Sequence, residues 1–328
     1  MSGTSVITGA TGHIGYPLLL ELIARGQEPR LLLREENGLF SDLSCQTVRG
    51  DVTNYESLLS AFAGAETVYH LAGLIEIGDG NMDQVWRVNI DGTQNVIAAC
   101  KACGVKRLVY CSSVDAMPPA PEGQVMREAV RFGTKGVEGA YGKSKAIATQ
   151  AALNAAGEGF EVVCGFPSAC VGPYDYKVSS VGVMIRMFLR FGMPITMNFG
   201  GYNFVDVRDV AFGLAQCGDA ALAPSGSCYL LTGEFVSTGA FIRMLAELTG
   251  HTPPKLVLPK TVAEFSAPLA GTYYKLFSKT PLFTAYSLRK LQENGLFSYE
   301  KAADELAYSP RSARDSLADM IAWLKQNA

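Results

Sequence analysis

The chain reads as a doubly wound α/β fold, a parallel sheet with helices on both faces, extended by a smaller C-terminal lobe. Three observations predict it. Apolar strands alternate with helices through roughly the first half of the chain, a glycine-rich turn joins the first strand to the first helix, and no internal repeat or low-complexity linker interrupts the sequence. The 328 residues, 48% of them apolar, suffice to bury one large core or two unequal ones without disulfide staples.

The first strand is Ser5-Val6-Ile7 and the first helix runs from Gly15 to Arg25, with Pro17 in its first turn and Gly26 stopping it. Between them lies Thr8-Gly9-Ala10-Thr11-Gly12-His13-Ile14-Gly15. Gly9 allows a tight turn, Gly12 a close approach of backbone to pyrophosphate, and Gly15 close packing of helix on strand. The helix N-terminus then offers its positive end to the phosphates. The turn is therefore expected to bind a dinucleotide through Gly9, Thr11, Gly12, His13, Ile14 and Gly15. An ordinary strand-to-helix turn is the competing reading.

A second strand, Arg30 to Leu33, ends at Arg34 rather than at an acid. An acidic side chain there binds ribose hydroxyls, whereas an arginine pairs with a ribose phosphate, so Arg34 favours NADP(H), with NAD(H) as the alternative. Glu35 and Glu36 beside it weaken a phosphate site, and a solvated surface arginine is the plainer explanation. A third strand, Thr47 to Arg49, leads to Asp51 and Val52, and a helix runs from Asn54 to Phe62. Asp51 either accepts from an adenine amino group or caps that helix.

Glu66 to His70 is a buried strand running into Leu71-Ala72-Gly73, whose small residues let a flat cofactor lie on the backbone. His70 has the character of a packed histidine. A helix from about Asp83 to Ala102 carries an apolar stripe interrupted by Asn89 and Gly92, which invites a cofactor contact for Asn89. A fifth strand, Lys106 to Cys111, ends in Ser112-Ser113. A loop over residues 115–137 follows, and then Tyr141-Gly142-Lys143-Ser144-Lys145 opens a helix to about Ala156. Tyr141 and Lys145 share a helix face, where an ammonium favours the phenolate and lowers the tyrosine pKa toward neutrality.

The turn Gly9-x-x-Gly12-x-x-Gly15, the strand end Ser112-Ser113 and the pair Tyr141/Lys145 together resemble the extended short-chain dehydrogenase/reductase family, the NAD-dependent epimerase/dehydratase type. Further matches cover nearly the whole chain: Asn89 to Val96, Phe166-Pro167 to Gly172-Pro173, Asn203 to Ala211, and Phe297 to Ala302 with Trp323 to Lys325. The resemblance implies a Rossmann-like fold, with Ser113 and Tyr141 on the substrate oxygen and Lys145 on the nicotinamide ribose. It also implies cofactor contacts at Phe166, Pro167 and Ser168. Ser112 is one place too early and points to the other side of an extended strand. The glycine spacing is that of the extended branch, and His13 stands where the family more often has an aromatic, leaving stacking on the cofactor and capping of the helix both open.

Where the nucleotide-sugar dehydratases of the family carry Asp-Glu after the serine position, this chain has Val114-Asp115, and valine cannot protonate a leaving hydroxyl. The strand end Leu31-Leu32-Leu33-Arg34 and the pattern from Lys301 to Pro310 look more like the dihydroflavonol reductase and 3β-hydroxysteroid dehydrogenase branches. The implied enzyme is an NADP(H)-dependent oxidoreductase that interconverts a ketone or aldehyde and an alcohol on a small, largely apolar molecule. The alternatives are a nucleotide-sugar epimerase with retained NAD(P) and a non-catalytic dinucleotide sensor, against which the Tyr-x-x-x-Lys pair argues. Ser113, Asp115, Tyr174, Met184 and Phe204 are the expected substrate contacts. The Met-rich run from Tyr174 to Met193 lines a pocket or, with Ile185, Phe188 and Leu189, is plain core.

The dinucleotide-binding domain is expected over 1–172 with returning segments near 205–232, and the substrate lobe mainly over 173–328. Eight cysteines scattered in apolar segments point to a reducing compartment. Cys100 and Cys103 form a C-x-x-C without a second pair, so no metal is expected. A net charge of −3 and a pI near 5.7 offer no basic face for nucleic acid. The chain enters a strand at once, so no signal peptide is expected, and Val262 to Phe283 is too broken by charge to span a bilayer. A cytoplasmic protein acting on a small molecule is expected, as a homodimer paired through helices such as 141–156.

Overall fold

The computed structural model describes residues 4–75, 82–262 and 293–327. Its centre is a seven-stranded parallel sheet in the order β10-β6-β5-β4-β1-β2-β3. The strands are β1 (Thr4–Thr8), β2 (Arg30–Leu33), β3 (Gln46–Arg49), β4 (Ala65–His70), β5 (Arg107–Cys111), β6 (Glu161–Pro167) and β10 (Cys228–Leu231). Strand order reverses between β1 and β4, and ligands of such sheets bind beyond the carboxyl ends at that point.

Alternation along the strands divides the core in two. Val6, Leu108, Tyr110, Val162 and Cys164 face one side, with α2 (Tyr55–Phe62), α4 (Gly92–Ala102) and α5 (Gly139–Ala155) packed over them. Ile7, Val109, Cys111 and Val163 face the other, under α1 (Gly15–Ala24), α7 (Val207–Cys217) and α9 (Glu300–Leu306). Both faces are covered, so the strands read as continuous apolar runs rather than alternating ones. The C-terminal α9 thus packs on the sheet through Ala302 and Leu306, and Tyr229 of β10 donates to Glu305 at 2.6 Å.

The expected helix from Asp83 to Ala102 is interrupted. It comprises α3 (Met82–Trp86), a π-helical turn (Arg87–Asp91) and α4, and Asn89 sits in the π turn. Such turns concentrate at functional sites because the widened ring re-aims a side chain.

A third apolar cluster lies outside the main sheet. It is built from β7 (Ala169–Val171), α6 (Ser180–Phe191), β9 (Gly201–Asp206), β11 (Glu234–Ser237), α8 (Thr238–Thr249) and α10 (Ala313–Gln326). β9 is central, antiparallel to β11 and parallel to β7, while β8 (Ile195–Met197) pairs with β12 (Leu256–Leu258). Ile185 and Phe188 of the Met-rich run are fully buried in this cluster, so that face of α6 is core. No helix among the described residues is long and apolar enough to cross a membrane. The segment read as too broken to span a bilayer lies, beyond Val262, outside the described residues.

The glycine turn is sterically determined. Gly9 has φ of 80°, and a side-chain carbon there would lie 2.6 Å from the Ala72 nitrogen; one at Gly15 would collide with the Gly9 carbonyl oxygen. A Gly15→Ala substitution must therefore move backbone on both sides of the turn, and it is expected to destabilise the protein by about 1–3 kcal/mol. An unchanged melting temperature would show that the turn is more yielding than this geometry implies.

Candidate active site

Ser112 and Ser113 follow β5 and separate into two roles. The Ser112 Oγ meets the Thr149 Oγ1 at 2.6 Å inside the protein, tying β5 to α5. Ser113 turns the other way. Its Oγ accepts from the Asp115 N–H at 3.1 Å and lies 3.4 Å from the Asp115 carboxylate, and the Tyr141 hydroxyl is hydrogen-bonded to it. Gly142 explains how α5 comes so near: a side-chain carbon there would stand 2.6 Å from the Asp115 carbonyl oxygen.

Lys145 is buried one turn further along α5. Its Nζ donates to the Cys111 carbonyl at 2.7 Å and to the Tyr110 hydroxyl at 3.3 Å, and sits 4.8 Å from the Tyr110 ring centroid. Burial lowers the Lys145 pKa, opposed by Cys111 and Cys164. The expected tuning of Tyr141 by this lysine is not what the geometry yields. Burial, and then the Asp115 carboxylate, push the Tyr141 pKa up, and the hydrogen bond with Ser113 offsets part of this. The ammonium is aimed at β5, so its charge is spent on backbone and Tyr110 rather than on the phenol.

Behind Lys145 runs a buried polar chain. Tyr110 is hydrogen-bonded to Thr93, Thr93 Oγ1 donates to the Asn89 carbonyl at 2.7 Å, and His70 Nε2 lies 3.0 Å from Thr93 Oγ1. His70 Nδ1 meets Thr8 Oγ1 at 2.7 Å, and the Ala72 N–H donates to that oxygen at 3.2 Å. Since the Thr93 proton is committed to Asn89, His70 carries its proton on Nε2 and accepts from Thr8. Burial, reinforced by Lys145, lowers the His70 pKa to about 3, in keeping with a packed, neutral ring.

Asn89 is fully occupied by protein groups. Its Oδ1 accepts from the Leu74 N–H at 2.7 Å, and its Nδ2 donates to the Leu74 carbonyl at 3.0 Å and the Ser144 Oγ at 2.9 Å. It therefore braces the segment after β4 against α5. Within that segment Gly73 lies against Lys145 and Asn89.

The remaining expected cofactor residues gather around the carboxyl ends of β1 and its neighbours. The N-terminus of α1 carries no side-chain cap, Gly12 N–H closes the turn on the Gly9 carbonyl at 2.9 Å, and Leu71 N–H donates to the Thr8 carbonyl at 3.1 Å. Thr11 lies on the partly exposed lip of the turn, and Ile14 packs under α1. Arg34 is exposed just past β2. Asp51 accepts from the N–H and hydroxyl of Thr53, both at 2.8 Å, so it caps a turn, while Asn54 caps α2. Val52 is core, and its carbonyl accepts from Asn95 at 3.0 Å. His13 reaches the carbonyls of Gly172 and Pro173, each at 3.1 Å. It thus fastens the turn to the segment after β7 rather than capping α1. A dinucleotide fits this cradle, because glycines keep its floor open, an uncapped helix N-terminus faces it, and backbone from Leu71 to Gly73 forms one wall.

A small cleft next to Ser113, with a cavity volume of about 50 Å³, is lined by Val114, Asp115, Met117, Met126, Tyr202 and Phe297 among others. Ser168 and Asn203 are at its wall, and Ser168 Oγ donates to Asn203 Oδ1 at 3.0 Å. Phe166 is buried and stacked on Phe132 at 5.1 Å, at the end of β6 with Pro167. Three expected substrate contacts lie elsewhere. Phe204 is core, stacked on Phe241 at 4.5 Å, because β9 turns it away from the face that carries Asn203. Met184 packs on the third apolar cluster, and Tyr174 lies against Tyr16, the rings tilted with centroids 5.2 Å apart. Tyr202, Asn203 and Met126 were not expected. Period-two alternation points to Asn203 opposite Phe204, but nothing local marks Met126, which reaches the cleft through a long loop.

The family model of the NAD dependent epimerase/dehydratase family matches residues 5–224. The chain belongs to that family. A sterol demethylase protein B of Methylococcus capsulatus is 31% identical over 98% of both chains. A 3β-hydroxysteroid-dehydrogenase/decarboxylase of Arabidopsis thaliana is 30% identical, covering 93% of this chain and 75% of its own. The crystal structure of gox2253 superposes with a TM-score of 0.86 at 30% identity, over 100% of this chain and 99% of the other. Membership in the NAD dependent epimerase/dehydratase family carries the enzyme class expected from the sequence, an NAD(P)-dependent oxidoreductase of the extended short-chain type.

The neutral, buried His70 has a measurable signature. Its ring titrates near 6.5 when exposed and near 3 when folded, so between those values the unfolded chain binds the extra proton. Its contribution is complete above pH ~6.5 and is lost as pH falls, at about 1.4 kcal/mol per pH unit. Urea midpoints measured from about pH 7 to pH 4 should fall less steeply in His70→Gln than in the parent, although the variant starts less stable. Equal slopes would show that His70 is not held neutral.

Proposed function

We propose that the chain is an NADP(H)-dependent oxidoreductase that interconverts a ketone or aldehyde and an alcohol on a small, largely apolar molecule of hydroxysteroid or dihydroflavonol character. The observation that carries this reading is the Tyr141 hydroxyl seated on Ser113, one helical turn from the buried Lys145, beside a cleft with no lysine or arginine among its described lining residues. A nucleotide-sugar diphosphate needs cations, and this cleft offers Asp115 and Glu293 instead. Arg208 does not supply them, since Asp206 and Asp319 hold it at 2.7 and 2.6 Å. Two relatives are named for sterol and hydroxysteroid chemistry, which supports the same substrate class.

When bound, the dinucleotide supplies or accepts the hydride. Tyr141 donates a proton to the carbonyl oxygen in reduction and removes one from the hydroxyl in oxidation. Ser113 shares a hydrogen bond with that oxygen and steadies its developing charge. Lys145, one turn behind Tyr141, would hold the nicotinamide ribose. The substrate pocket, on this reading, is assembled by the β7 to β9 region and the segment around Phe297.

Tyr141→Phe is expected to lower turnover by at least about a hundred-fold while NADPH affinity changes less than about two-fold. Because the phenol pKa is raised, kcat/KM for carbonyl reduction in the parent should stay level from about pH 6 to about pH 9. A midpoint near neutrality, or parental turnover in the variant, would refute the assignment. A panel of steroid, flavanonol and short-chain carbonyls with both nicotinamides tests the substrate class. Tightly retained dinucleotide without net oxidation would mark an epimerase instead.

Arg34→Ala should weaken NADPH relative to NADH by about 1.5–3 kcal/mol, the worth of a charge-assisted contact. Equal affinity of the parent for the two cofactors would remove the NADP(H) assignment.

A further inference from the structure

Tyr110 is fully buried near the carboxyl end of β5, and the hydride and proton transfers give it no task. Its position is nonetheless specific. The Tyr110 hydroxyl oxygen accepts from Lys145 Nζ at 3.3 Å, and the ring centroid lies 4.8 Å from that nitrogen, within reach of a cation–π contact. One residue further along β5 the Cys111 carbonyl accepts a second proton of the same ammonium at 2.7 Å. An ammonium carries three donors, and among the described residues the third finds no acceptor. Gly73, on the wall of the cradle, borders this nitrogen, since a side-chain carbon there would stand 3.4 Å from it.

The groups behind Tyr110 fix which way its hydroxyl points. Thr93 Oγ1 commits its own proton to the Asn89 carbonyl at 2.7 Å and lies 3.0 Å from His70 Nε2. The hydrogen bond between Tyr110 and Thr93 is therefore donated by Tyr110. With its proton spent there, the Tyr110 oxygen presents only lone pairs to Lys145. A tyrosine so anchored serves as a fixed acceptor for a buried cation.

We infer that Tyr110 is a positioning residue, which through its oxygen and ring holds the Lys145 ammonium at the carboxyl end of β5 with one donor left for the nicotinamide ribose. The inference rests on the dinucleotide reading above and adds to it a residue that acts only through Lys145.

The titratable groups around the ammonium leave it a distinct signature. Cys111 on β5 and Cys164 on β6 are both raised, Cys111 to about 11, and Tyr141 on the same helix is raised as well. His70 on β4 is neutral down to about 3, and burial lowers Lys145. As pH rises above neutrality, Lys145 is thus the first of this set to lose its proton.

The test is binding of NADPH, NADH and 5′-AMP to the full-length protein from about pH 7 to about pH 10, in the parent, Tyr110→Phe, Thr93→Val and Thr93→Ser. Tyr110→Phe keeps the buried ring and removes the acceptor. It is expected to weaken both nicotinamide dinucleotides by about five- to ten-fold, and 5′-AMP, which stops short of the nicotinamide ribose, by less than about two-fold. The alkaline fall in NADPH affinity should move down by about one pH unit, because the lost acceptor served only the charged amine. Thr93→Val should shift both readouts the same way but less, and Thr93→Ser, which keeps the hydroxyl, should restore them. Parental affinity and an unmoved alkaline limb in Tyr110→Phe, or an equal loss for NADPH and 5′-AMP, overturn the inference and leave the dinucleotide reading standing. Binding of neither NADPH nor NADH by the parent overturns both.

Discussion

The burial of one ammonium group constrains much of this site. Lys145 is removed from water and satisfied by neutral acceptors, the Cys111 carbonyl and the Tyr110 hydroxyl, rather than by a carboxylate. A carboxylate would have cancelled its field, whereas a carbonyl and a phenol leave its charge uncompensated. The neighbours follow from that choice. His70 must remain neutral, because a second cation at that depth is excluded by both burial and repulsion. Tyr110 must be anchored to Thr93 so that its oxygen can accept. The polar chain from Thr8 to Lys145 thereby links β1, β4, α4, β5 and α5 through the switch point of the sheet.

The same helix sets the geometry of the reacting groups. Gly142 admits α5 to the turn after β5, Asn89 braces it through Ser144, and Ser112 ties it to β5 through Thr149. Tyr141 is left with a hydrogen bond to Ser113 and a nearby Asp115 that disfavours the phenolate. A phenol held neutral is suited to giving up a proton to an oxygen that is becoming negative. His13 spans from the glycine turn to the segment leaving β7 and ties the two together.

How far the sequence could be read depended on whether a property was local. The glycine turn, the strand ends and the helical spacing of Tyr141 and Lys145 are set by neighbours within a few residues, and they stand where spacing placed them. Ser113 is separated from Ser112 by its place in the family's pattern and by strand alternation. The interruption at Asn89 flagged a special residue, but its partners, Leu74 and Ser144, come from two other elements, so a packing brace could not be told from a cofactor contact. Phe204 and Met184 read as pocket residues because an apolar side chain looks the same in a core as in a binding wall.

The sequence by itself determined the doubly wound sheet and the glycine turn, since each rests on backbone sterics or a short fixed periodicity, and the candidate trio Ser113, Tyr141 and Lys145 followed from the resemblance to the family. Only the tertiary structure decided where the charges point. Lys145 is aimed at β5, the Tyr141 pKa is raised rather than lowered, and His13 clasps a distant segment. Electrostatic interactions act through space and depend on burial, and neither distance nor burial is written in the order of residues along a chain.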